Sequence, residues 1–125
     1  MAAGKGGQTG YTFKKRDRLK KRSEYLSVSK AGKKVTNRHF IALFVNGRFS
    51  WPRIGITVTR RVGNAVTRNR VKRMCREFFR LNREHLERSV DINLIAKKEA
   101  AALPSETARR SLTQLFEQIN RKSGF

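Results

Sequence analysis

The chain has 125 residues, which suits one domain with a single modest core. Thirty Lys and Arg against nine acids give a formal charge of +21, a load that strains a compact fold unless a polyanion neutralises it, and nucleic acid is the leading partner because each neutralised phosphate releases condensed counterions. The longest unbroken apolar run, Phe40 to Val45, is far short of a membrane span, the lone Cys75 allows no internal disulfide, and no Cys/His cluster has zinc spacing, so no membrane partner and no metal ligands are expected and a reducing cytoplasm fits.

Residues 1–12 read as a flexible tail, because Gly-rich polar sequence buries too little surface to order itself, and they lack the apolar stretch of a secretory signal. A basic run follows, from Lys14 to Arg22, opposed only by Asp17. A short helix is predicted over Ser23–Lys30, capped by Ser23, ended by Gly32, with Tyr25, Leu26 and Val28 as its apolar contacts. Lys33–Thr36 suits a short strand. In the next strand Phe40, Ala42 and Phe44 alternate with Ile41, Leu43 and Val45, so both of its faces are apolar. Asn46-Gly47 opens a turn, Trp51-Pro52 lies in the same connection, and Arg53–Thr59 alternates again. From about Asn64 to His85 the period becomes helical, with Val71, Met74, Cys75 and Phe78 forming one stripe. Val90–Ala96 reads as a strand. Pro104 and Ser105 start a last helix that turns Ala108, Leu112, Leu115, Phe116 and Ile119 to the core. The order α, two or three β, α, β, α makes one α/β sandwich over residues 13–120, with 121–125 expected as a C-terminal tail.

The chemistry is concentrated between Arg60 and Arg80, a stretch with eight Lys or Arg and one acid, Glu77. Charge runs usually form solvated faces. Solvated helices mix signs, however, because like charges four residues apart cost about 0.2–0.5 kcal/mol per pair. Arg68, Lys72 and Arg76 are like charges at that spacing, a repulsion that phosphate would relieve. Ahead of the helix, Val62-Gly63-Asn64 breaks the strand and points the first helical N–H groups outward, which beside Arg60, Arg61 and Arg68 makes a candidate anion site.

These residues carry a resemblance. Gly63-Asn64-Ala65-Val66 followed, after one residue, by Arg68-Asn69-Arg70-Val71-Lys72-Arg73 resembles the RNR signature of bacterial ribonuclease P proteins. The likeness extends over about residues 13–117 through Arg18-Leu19-Lys20-Lys21, Asn37-Arg38-His39-Phe40, Arg53-Ile54-Gly55-Ile56, Asp91–Lys97 and Ser111–Phe116. The resemblance implies an α/β (α+β) two-layer sandwich of order α-β-β-β-α-β-α, with a left-handed βαβ crossover through the RNR helix, against the general preference. It implies a protein subunit of a ribonuclease that removes the 5′ leader of precursor tRNA, with hydrolysis belonging to a catalytic RNA and its bound Mg2+ and with no protein partner required.

By the same resemblance, Arg60, Arg61, Asn64, Arg68, Asn69, Arg70, Lys72, Arg73 and Arg76 would dock on the catalytic RNA. Arg16, Arg18, Lys20, Lys21, Asn37 and Arg38 would add RNA contacts. Tyr25, Ile41 and Leu43 would hold the single-stranded leader in a cleft between the first helix and the free sheet face, the tyrosine by stacking on a base. Family members often carry a second aromatic one turn later, where this chain has Ser29. Two other functions compete. An autonomous protein ribonuclease needs a His/Lys acid–base pair or a carboxylate cluster, and the nine acids are scattered. A ribosomal protein or RNA chaperone fits the composition but not the signature.

Overall fold

The computed structural model describes residues 13–123, so the expected 1–12 tail lies outside the described residues. The first helix, α1 (Arg22–Ala31), leads into β1 (Lys33–Thr36) and β2 (Phe40–Asn46). β3 (Arg53–Thr57), α2 (Ala65–Asn82), β4 (Val90–Ala96) and α3 (Ser105–Ser123) complete the order. α3 continues three residues into the stretch expected as a tail, and β3 ends two residues before Thr59.

The strands form one sheet of order β1-β2-β4-β3. β1 and β4 flank β2 antiparallel, while β3 runs parallel to β4 after crossing over through α2. Alternation decides the faces. Phe40, Ala42 and Phe44 of β2, Ile54 of β3 and Val90, Ile92, Leu94 and Ala96 of β4 join one buried cluster. That cluster meets Val71, Cys75, Phe78 and Phe79 of α2 and the five predicted core residues of α3. Phe116 packs edge-on against Phe78, with ring centroids 5.0 Å apart. The sheet and these two helices are the two layers of the sandwich.

On the other face lies α1, and here the sequence reading needs correction. Ser23 is not its cap. Lys21 holds that position, and Glu24 reaches back to accept the backbone N–H groups of Lys20 (2.8 Å) and Lys21 (3.1 Å), meeting donors that a helix start leaves orphaned. Leu26 is exposed rather than packed; Val28 is the buried aliphatic of this helix and Tyr25 is half-buried.

Candidate nucleic-acid interface

The basic helix is held at its start by local chemistry. Gly63, at φ +158°, turns the chain out of the strand, and a Cβ there would press on the Thr67 side chain at 3.0 Å. Asn64 caps α2, its side-chain oxygen accepting the Thr67 N–H at 2.9 Å. Arg68 donates from Nε to the Gly63 carbonyl at 3.2 Å, which ties it to the same turn.

Around the helix the cations separate into two sets. Arg68, Lys72 and Arg76 share one flank at four-residue spacing, with exposed Asn69 and Arg73 on the outward side. None of Arg60, Arg61, Arg68, Lys72, Arg73 or Arg76 appears in an ion pair among the described residues. Val66, 78% exposed, stands on the outward side with them. Arg70 lies on the opposite flank, toward α3. Its guanidinium donates to the backbone carbonyls of Ala101 and of Leu103 (3.3 Å), so it clamps the β4–α3 connection rather than facing outward.

The free face of the sheet is organised in rows by strand register. The first row is Arg53, Asp91 and Val45. Arg53 is buried and binds Asp91 through two bonds (3.0 and 2.7 Å) and Glu24 of α1 through a third (2.8 Å). The backbone N–H groups of Lys20 and Lys21, and then Arg53, hold the Glu24 carboxyl down at about 2. The same carboxylates raise the pKa of Arg53 above its ordinary value, chiefly through the Asp91 bonds.

In the second row stand Gly55, Asn93, Leu43 and Lys34. Asn93 links Ser29 of α1 (3.4 Å) to Thr57 (2.9 Å), so Ser29 serves here as a tether. Tyr25 lies directly over Gly55: a Cβ there would fall 2.4–2.6 Å from Cε1, Cζ and Oη of the ring. Burial pushes the Tyr25 hydroxyl upward, against the Ile56 backbone and the charges of Arg18 and Arg76.

The third row, Thr57, Ile95, Ile41 and Thr36, is the one where the sheet opens into a cavity. Ile41 and Ile95 line it with Thr59, Arg61, Lys97 and Lys98. The three residues expected to hold the leader are therefore spread over the face. Ile41 is in this cavity, Leu43 is one row away in the row that α1 engages, and Tyr25 sits near the outer edge of β3 with Arg18, Lys20 and Arg76.

The remaining candidates divide likewise. Asn37 is committed to the fold: its amide donates to the Ser111 carbonyl (2.9 Å) and its oxygen accepts the N–H groups of His39 and Phe40. Arg38, Lys20, Lys21 and Arg18 are exposed. Arg16 lies over the Trp51 ring at 4.6 Å, and Trp51 stacks on Phe49 while donating to the Arg16 carbonyl, so the tryptophan packs locally.

Residues 13–120 match the sequence family described as Ribonuclease P. The chain belongs to the ribonuclease P protein family. It is 44% identical over 114 residues to the ribonuclease P protein component of Desulforapulum autotrophicum, a match covering 91% of this chain and 97% of that one. Among solved structures it is similar to the RNase P protein of Staphylococcus aureus (TM-score 0.78, 32% identity, 82% and 94% covered). That of Thermotoga maritima is also similar (TM-score 0.76, 34% identity, 82% and 97% covered). As a ribonuclease P protein the chain is an RNA-binding, tRNA-processing subunit of an endoribonuclease holoenzyme.

Within this family fold, the sequence reading missed three groups. Arg53 and Asp91 are joined across 38 residues, and no local spacing announces the pair. Ile95 stands on the same face as Asp91 and Asn93, but it is apolar where the alternation of β4 would place a polar residue, so nothing in the pattern marks it as open. Lys97 and Lys98, at the cavity, follow that strand without a motif; Lys97 also donates to the Asn37 carbonyl at 2.7 Å.

Proposed function

We propose that the outward and β3-side flanks of α2 dock on the catalytic RNA of ribonuclease P. The free sheet face takes the single-stranded 5′ leader of precursor tRNA, and the RNA with its bound magnesium performs the hydrolysis. The observation that carries the docking assignment is that Arg60, Arg61, Arg68, Lys72, Arg73 and Arg76, on and before α2, have no carboxylate partner among the described residues, while Arg70 of the same helix is used internally. A helix that keeps like charges together is suited to a polyanion that neutralises them.

The division of labour is supported by what the acids do. Asp17 pairs with Arg83, while Asp91 and Glu24 share Arg53. Among the described residues no group of three or more His, Cys, Asp or Glu is placed to hold a metal ion. On this reading the described residues supply contacts that bind and position RNA rather than a magnesium site of their own. A cytoplasmic setting suits the chain. No described helix is long and apolar enough to cross a membrane, and burial pushes the Cys75 thiol up to about 12, which keeps it an inert core group.

Reconstitution tests this reading. Protein freed of RNA should cleave no precursor tRNA, and with bacterial ribonuclease P RNA it should restore cleavage at low magnesium. Arg68→Ala with Lys72→Ala should flatten the salt dependence of RNA binding by roughly 0.7–0.9 log units per lost phosphate contact and leave the fold intact. Robust cleavage by RNA-free protein would overturn the division of labour, and an unchanged salt slope would overturn the docking face.

A further inference from the structure

Groups scattered over three segments of the sequence meet at the outer edge of β3. Arg18 and Lys20 come from the stretch ahead of α1, Tyr25 from α1, and Arg76 from the middle of α2. With Phe13 and Leu19 they line one cavity, and Ile54, Gly55 and Ile56 of β3 form its remaining wall. β3 is an edge strand of the sheet, and among the described residues the chain ahead of α1 bridges to it at Ile54, whose carbonyl accepts the Leu19 N–H at 3.0 Å.

This cavity has three cations and no acid in its lining. Arg18, Lys20 and Arg76 make no ion pair among the described residues, and residues 1–12 contain neither Asp nor Glu that could supply one. The repulsion of gathered cations is reversed by an anion placed among them. Tyr25 is set for such a ligand. Its ring rests against Gly55, so that side of the ring is closed to a base, while its hydroxyl remains a hydrogen-bond donor at the same cavity.

We infer that this cavity binds one phosphate of the substrate's single-stranded leader, with Arg18 and Arg76 as guanidinium ligands, Lys20 as a point charge and the Tyr25 hydroxyl as a neutral donor. The inference rests on the leader-binding reading above and gives that reading an anchoring site. The leader is the source because Tyr25 stands on the same sheet face as the Ile41–Ile95 cavity. Gly55 and Ile41 are two strands and one row apart, about 12 Å by strand spacing, a gap that a short single strand bridges. Tyr25 thus serves through its hydroxyl rather than as a stacking platform, and Arg76, at the β3 end of the cation set on α2, turns to the substrate and leaves Arg60, Arg61, Arg68, Lys72 and Arg73 to the catalytic RNA.

The test uses reconstituted holoenzyme and precursor tRNAs carrying one methylphosphonate, an uncharged linkage, at successive leader positions. With wild-type protein one position should weaken binding about tenfold, the scale of a hydrogen bond to a charged group. Tyr25→Phe removes only the hydroxyl and keeps the ring on Gly55. In that variant, and in Arg18→Gln, the unmodified precursor should bind about tenfold more weakly and the same methylphosphonate should lose most of its penalty, the signature of a shared contact. Mature tRNA should bind all three proteins alike. Penalties at every leader position parallel to wild type would overturn the inference. So would variants that weaken assembly with the catalytic RNA without coupling to any leader position, since the phosphate would then be the catalytic RNA's. A wild-type holoenzyme that does not distinguish precursor from mature tRNA would instead remove the leader-binding reading itself.

Discussion

Replacing Arg53 by Met should unfasten α1 from the sheet. The guanidinium has 7% of its side-chain surface exposed, Asp91 has 6% and Glu24 has 20%, so removing the cation strands two carboxylates in or near the interior. Breaking a buried pair by deleting one partner costs about 3–5 kcal/mol. Against the roughly 5–15 kcal/mol that stabilises an ordinary domain, that is a large fraction. At about 4 °C per kcal/mol for a chain of this size, Tm should fall by roughly 12–20 °C near neutral pH. Thermal unfolding followed by circular dichroism measures this directly. The cost comes from orphaned charge and not from lost packing volume, so neutralising the stranded carboxylates should reverse it. Adding Glu24→Gln and Asp91→Asn to Arg53→Met should recover most of the loss, although each added change alone weakens the wild type. A triple variant no more stable than Arg53→Met, or an Arg53→Met protein as stable as wild type, would refute the account.

Other consequences follow from single contacts. Arg70→Ala should lower stability by about 1.5–3 kcal/mol, the range for hydrogen bonds to a charged group, while Arg73→Ala, on the exposed side, should leave the melting temperature unchanged and weaken RNA binding; urea titrations beside filter binding separate the two. The unfolded chain protonates Glu24 near 4.5 but the folded chain holds it ionised to about 2, so its stabilisation is complete above pH ~4.5 and is lost as pH falls toward 2; Glu24→Gln should flatten the stability profile across that window. Cys75, buried and with its thiol pushed up to about 12, should resist alkylating reagents in the native protein and react once the chain is unfolded.

Periodicity made most of the fold legible. A two-residue repeat in β2 and a helical stripe in α2 and α3 record which side of each element is buried, and the core residues read from them are buried, with Met74 at the margin. α1 was less legible because a ten-residue helix offers few turns over which to average. Leu26 and Val28 are equally apolar, and only the position of the sheet beneath decides that Val28 is inside. Its cap was misread for a related reason. Ser23 has the usual capping side chain, but Glu24 serves two backbone donors and Arg53 at once, and that second role depends on a strand 29 residues away. The RNR signature marked the interface helix as a whole. It did not distinguish Arg70 from Arg68 and Lys72, because the carbonyls that claim Arg70 belong to a connection more than 30 residues later.

The two uses of charge in this chain explain how a +21 protein folds with so few acids. Three carboxylates fasten elements, Asp17 to Arg83 beyond α2 and Glu24 and Asp91 to Arg53 between α1 and the sheet, while Glu77 and Glu106 pair within their own helices. Two arginines besides these, Arg70 toward the β4–α3 connection and Arg68 toward the Gly63 turn, are partly satisfied by backbone carbonyls, which fix a cation without consuming an acid. That arrangement leaves Lys72, Arg73 and Arg76 of α2 without an ion pair among the described residues, on the sides away from the core, and their mutual repulsion there acts across high-dielectric solvent, where it costs least. The same arrangement keeps α1 attached through the first two rows of the sheet while the third row opens into a cavity beside Arg61, Lys97 and Lys98. Anchoring and openness on one sheet face are thus separated by one strand repeat, about 7 Å, which is why a change at Arg53 that merely tilted α1 would disturb the substrate face before it disturbed the core.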